Sequence, residues 1–204
     1  MCVLLLLVLV LLLFHRIVPA CKRLVALNAS GWKRMQYKGV RELRALRHLS
    51  SLSMAGTPIE DRGIVALCGV VVTSDARGDA NMECNAPLQL RCLDVRDCHA
   101  LTDTALHAVS KGCPHLQELY IGASSSSSQS LDAHQNSAIT PQGLCWVAKC
   151  CKLVRLAAGM THAVSEHSLQ VLCRHVKHLQ RVRRGVVGRY VSFAGCFSLL
   201  MPPV

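Results

Sequence analysis

Aromatic residues are scarce in this chain: 204 residues include only 2 Trp, 3 Tyr and 3 Phe. That excludes a core organised around a few large rings. The apolar content of 51% is mostly Leu, Val and Ala, which suits many small, similar layers. Acidic residues are also few, with 12 Asp and Glu against 23 Lys and Arg, for a formal charge of +11. A paired-carboxylate catalytic site therefore has little material, and acidic partners are favoured electrostatically. None of the 12 cysteines forms a CxxC pair, and adjacent Cys150 and Cys151 make a poor chelate. GxSxG, GxxxxGKS/T, HExxH and GxGxxG are all missing. No enzyme, catalytic residue, metal or cofactor is expected. Disulfide frameworks belong to shorter secreted chains, so the cysteines read as reduced, small, buried hydrophobes.

What the chain does have is an internal repeat. The segment Leu90-x-x-Leu93-x-Val95-x-x-Cys98 opens with a three-residue apolar spacing and continues in alternation. This predicts a short strand with Leu93 and Val95 on one face. Leu101-Thr102-Asp103 follows as a turn in which Thr102 or Asp103 caps a helix. Leu106, Val109 and Cys113 then recur at helical spacing, and Gly112 and Pro114 end the helix. The same unit starts at Leu24, Leu49, Leu116, Leu153 and Leu179. Counting Leu90, three of the five steps between these six leucines are 25 or 26 residues, and the two longer ones each contain an insertion.

Residues 72–87 are rich in Gly, Asp, Asn and Ala and read as a loop that adds no core. Residues 124–137 contain a serine run and read as a low-complexity surface expansion. Residues 2–14 form an apolar run of 13, short for a bilayer span. It reads either as the helix of a truncated first repeat or as a signal or anchor, with residues 1–20 as its unit. The repeats then occupy residues 21–184. Residues 185–204 form a degenerate apolar tail without a polar cap, as expected of a fragment, an assembly subunit or a marginally stable unit. Asn28-Ala29-Ser30 is a glycosylation sequon on a strand position and reads as chance.

The unit from Leu90 to Pro114 resembles the cysteine-containing subclass of leucine-rich repeats, as found in the repeat regions of F-box leucine-rich proteins. Cys98 matches the cysteine that ends the strand, and Cys113-Pro114 the end of the helix. Elsewhere that strand-end slot holds Thr57, Ser124 or Thr161, a departure from the pattern. The resemblance spans about residues 16–184 and implies an α/β solenoid, or horseshoe. Parallel strands would line its concave face and helices its convex face, each repeat burying its apolar side against the next. No segment resembles an F-box.

Cys92, Cys98, His99 and Cys113 invite a zinc hypothesis, but strand alternation turns Cys98 inward and Cys92 to the concave face, so they do not converge. The expected function is a protein-interaction scaffold. The alternatives are a substrate-recognition or adaptor component of an SCF-type ubiquitin ligase and a secreted or membrane-tethered recognition protein. By register the partner-binding positions are Ser51, Ser53, Cys92, Asp94, Arg96, Glu118, Tyr120, Arg155, Arg181 and Arg183. Tyr120 and the arginines are the expected anchors. Arg181 and Arg183 belong to a basic run from Arg174 to Arg189, which reads first as a solvated basic face; as a binding patch it suits an acidic protein and, with little aromatic interleaving, suits nucleic acid poorly. A cytoplasmic or nuclear location is expected, or a secreted or membrane-anchored one if residues 1–20 act as a signal. Oligomeric state is not legible.

Overall fold

In the computed structural model the described residues are 21–35, 37–74, 80–84, 86–122, 138–150, 152–159, 181–184 and 190–192. The apolar run at 2–14, the serine run at 124–137 and the helix positions expected between Val164 and Cys173 lie outside them. So does most of the stretch read as a tail.

Each repeat contributes a short strand, and its sequence alternation decides which side chains go inside. Strands β1 (Ala26–Asn28) and β2 (Ser51–Ser53) pair in parallel. Strands β3 (Val70–Ser74) and β4 (Ala80–Cys84) form a separate antiparallel pair. Strands β5 (Cys92–Asp94), β6 (Glu118–Gly122), β7 (Arg155–Gly159), β8 (Arg181–Arg184) and β9 (Tyr190–Ser192) complete the main sheet, in the order β1-β2-β5-β6-β7-β8-β9. All neighbours in it run parallel except β9, which pairs antiparallel with β8. That antiparallel edge falls within the stretch read as a degenerate tail and departs from the expected all-parallel set.

Leu27, Leu52, Leu93, Leu119, Leu156 and Val182 share one register column. Leu52, Leu93, Leu119 and Leu156 are buried in the common core, and Leu27 packs partly against it. Burying such a side chain contributes about 1.5–3 kcal/mol. The flanking strand positions whose side chains are described stay partly or largely exposed except Asp94, which is buried, and this makes the second face of the sheet an open face.

Helices α1 (Tyr37–Leu43), α2 (Asp61–Cys68), α3 (Asp103–Gly112) and α4 (Pro141–Cys150) follow their strands and pack successively against one another. Thr102 caps α3 by accepting from Thr104 N at 3.1 Å. Asp103, one residue on, faces the next repeat, where its carboxylate accepts from Thr140 N and Thr140 Oγ1. Asp61 does the same one repeat earlier, accepting from Thr102 N at 2.8 Å and Thr102 Oγ1 at 2.6 Å. A helix-start threonine thus caps its own helix while the preceding repeat's aspartate clasps it. Pro141 stands where α4 would carry the next such aspartate, so that series stops there.

The insertion expected to be a loop is in part the β3–β4 hairpin, and Val70 and Met82 from it are buried in the core. Its first strand begins within the apolar run Val70-Val71-Val72, before the Gly/Asp/Asn stretch that suggested a loop. Gly69, at φ 63, turns the chain from α2 into the hairpin. A Cβ there would collide with the guanidinium of Arg44, which donates from Nη2 to Ala86 O at 3.2 Å. No helix among the described residues is long and apolar enough to cross a membrane.

Candidate interaction face

The open face is built from the strand positions that alternate with the buried leucines. One column runs Ala26, Ser51, Cys92, Glu118, Arg155, Arg181, and the other runs Asn28, Ser53, Asp94, Tyr120, Ala157, Arg183. Every sequence-predicted site residue except Arg96 stands in one of these columns. Arg96 lies just beyond β5, two residues past Asp94, and folds back along the strand.

Eight of the ten expected positions have described side chains, and six of those join in one network. Ser30 and Ser53 share a hydroxyl contact of 2.7 Å, and Ser53 Oγ donates to Asp94 Oδ2 at 3.3 Å. Arg96 grips the same carboxylate twice, Nε to Oδ1 at 2.9 Å and Nη2 to Oδ2 at 2.7 Å. The Arg96 guanidinium also sits 5.4 Å from the centre of the Tyr120 ring, a cation–π contact. Tyr120 OH donates to Glu118 Oε2 at 2.9 Å, and Arg155 Nη1 donates to Glu118 Oε1 at 3.0 Å. The chain of contacts therefore reaches from Ser30, just past β1, to Arg155 of β7. Ser51 and Cys92 stand beside it, both partly exposed. For Arg181 and Arg183 the backbone register gives the column and nothing further.

Electrostatics follow from this arrangement. Burial is the main cause that pushes the Tyr120 hydroxyl above its usual range, and its bond to Glu118 adds to the effect. Burial likewise raises the Cys92 thiol, with Glu118 and Asp94 acting in the same direction. A thiol so placed is poorly ionised and a weak nucleophile.

The cysteines of the zinc hypothesis are dispersed. Cys98 is buried under β5, where it donates to Met54 O at 3.2 Å and meets Thr57 Oγ1 at 3.6 Å. Thr57 and Cys98 thus occupy the same strand-end slot in adjacent repeats. Cys113 is buried at the end of α3, 3.9 Å from Cys68 Sγ, and that contact followed by burial holds its thiol well above the usual range. Cys68 and Cys145 are further buried cysteines. Among the described residues no group of three or more His, Cys, Asp or Glu side chains is placed to hold a metal ion.

Register reasoning missed the pairing within the face. The two-residue spacings of Asp94 and Arg96 and of Glu118 and Tyr120 put each pair on one side of the chain, but spacing does not encode the side-chain conformations that join them.

A family model described as Leucine Rich repeat matches residues 45–68, the unit made of β2 and α2. The match identifies a leucine-rich repeat in this chain, and the β2 register extends the same layer into β1 and β5. No curated protein matches the chain. A solved structure of a tropomodulin C-terminal domain, from structural genomics of Caenorhabditis elegans, is similar at 16% identity. That similarity covers 81% of this chain and 89% of the other, with a TM-score of 0.45.

Proposed function

We propose that this chain is a non-enzymatic protein-interaction scaffold that seats a macromolecular partner on the open face of its sheet, as the concave side of a leucine-rich-repeat arc. One observation carries the reading. The network from Ser53 through Asp94, Arg96, Tyr120 and Glu118 to Arg155 crosses successive repeats on the side opposite the core. Hydrogen bonds and ion pairs within it hold a ring and two guanidinium groups in fixed positions, which lowers the entropy lost on binding. Tyr120, Arg96 and Arg155 are the anchors, because aromatic and arginine side chains most often dominate interface energy.

A photo-cross-linking residue in place of Ser53 or Arg155, compared with one in place of Lys111 on α3, tests the reading in cell extract. Open-face positions should give the discrete adducts. Adducts formed mainly from Lys111 would count against it.

The buried strand-end Cys98, bonded to Met54 O, supports placement in the cysteine-containing subclass of these repeats, while Thr57 in the same slot departs from it. A ubiquitin-ligase adaptor role adds the requirement that the chain capture the cullin-linked adaptor, which a pulldown measures. A cytoplasmic or nuclear site is our reading of location. Amino-terminal sequencing of the mature protein distinguishes it from secretion after cleavage near residue 20.

A further inference from the structure

The open face changes its chemistry along the sheet. At β1 and β2 its positions are uncharged: Ala26, Asn28, Ser51 and Ser53. At β5 and β6 it carries Asp94 and Glu118, each already held by an arginine of the same face. From β7 to β9 the register positions are Arg155, Ala157, Arg181, Arg183, Tyr190 and Ser192, with no carboxylate among them. By register, the positions at this end include three arginines and no acidic residue.

Resting on the scaffold reading above, we propose that this end binds an acidic protein segment, an extended stretch with carboxylate side chains at every second residue. Arg181 and Arg183 are two residues apart on one strand, about 6.6–6.8 Å along the chain, the repeat that an extended acidic peptide presents. Arg155 is the register partner of Arg181, one inter-strand spacing of about 4.8 Å away. Arg181 and Arg183 match two successive carboxylates of such a segment, and Arg155, one strand over, adds a third positive position beside the first; each fork can take one carboxylate in two bonds.

The middle of the face argues against nucleic acid as the occupant. A continuous polyanion leaving the basic end would run onto Asp94 and Glu118, whereas a short acidic segment stops before them. Tyr120, the ring nearest the middle, already carries the Arg96 guanidinium over its face, which takes up a base-stacking platform.

Glu118 makes the site self-limiting. It holds Arg155 at 3.0 Å, so an incoming carboxylate must displace it. Glu118→Gln keeps an acceptor for the Tyr120 hydroxyl and releases Arg155 from an ionic partner.

Fluorescence anisotropy on the full chain tests this with a labelled synthetic peptide alternating glutamate and serine. The comparison probes are its glutamine counterpart and a short oligothymidylate of equal charge. The acidic peptide should bind about tenfold or more tighter than the glutamine peptide, and Arg181→Glu with Arg183→Glu should remove that preference. Arg41→Glu with Lys111→Glu makes the same charge change on helices α1 and α3 and should leave affinity within about threefold. Glu118→Gln should tighten binding about threefold, a gain that unfolding cannot mimic. The proposal is overturned if the glutamine peptide binds equally well, if the oligothymidylate binds more tightly, or if the helix and sheet charge reversals act alike. No effect or a loss from Glu118→Gln removes the competition step. Open-face cross-linking that persists beside indifference to the acidic peptide would sink this proposal alone. Cross-linking confined to the helix side would sink the scaffold reading with it.

Discussion

Leu93 and Asp94 are neighbours in β5 and belong to two different regimes. Leu93 sits in a ladder of leucines, closed off from solvent and continued by the strand on either side. Asp94 sits in a polar network whose other members, Arg96, Tyr120, Glu118 and Arg155, remain partly or largely exposed. The helix side adds directional bonds to its apolar packing, through the clasps of Asp61 on Thr102 and Asp103 on Thr140. The open face has charge pairs and no apolar ladder. One side of the sheet therefore holds the repeats together, and the other is free to vary without dissolving them.

Substitutions on the two sides should separate sharply in size. Leu93→Ala removes a fully buried side chain shared by adjacent layers and should cost about 2–5 kcal/mol, read as a lower urea midpoint. Asp61→Ala leaves Thr102 without two bonds to a carboxylate and should cost about 1–2 kcal/mol in the same titration. A cost near zero would mean that the clasp merely accompanies helix packing.

A smaller effect is expected from pH on the helix side. His107 of α3 stacks on Trp146 of α4 with ring centroids 4.5 Å apart, and burial, followed by Lys111, lowers its proton affinity below the usual 6.5. A histidine depressed in the folded state binds its proton more readily when unfolded, so this contribution is complete above pH 6.5 and is lost as pH falls below it. Trp146→Leu should flatten that part of the stability profile between about pH 7 and pH 5. Smallest of all, Arg155→Ala breaks an exposed pair with Glu118 and should change stability by about 1 kcal/mol or less. A loss as large as that of Asp61→Ala would break the contrast between the two sides.

Much of the helix side was legible in advance because burial imposes a period. The leucine spacing located β2, β5, β6 and β7, and alternation assigned the open-face columns before any contact was known. The hairpin was not legible. Its polar middle masked two flanking strands, and Met82, one apolar residue among Asp, Asn and Glu, gave no periodic signal of burial. The clasps escaped for another reason. A threonine followed by an aspartate signals a cap, but which neighbour the aspartate reaches depends on how consecutive helices stack. Likewise, the columns placed Glu118 beside Arg155, while the fold-back of Arg96 onto Asp94 depends on a side-chain conformation that no spacing encodes.

The central claim is that the open face binds and the helix side holds. Its most direct test is one doubly substituted chain, Tyr120→Ala with Arg96→Ala, measured for its urea midpoint and for retention of the partner trapped by open-face cross-linking. We predict a variant that stays folded at a midpoint cost of about 1–3 kcal/mol, because the buried Asp94 carboxylate loses its ion pair with Arg96, together with loss of most partner retention. Full retention by a folded variant, or unfolding that accounts for the loss, would contradict the claim.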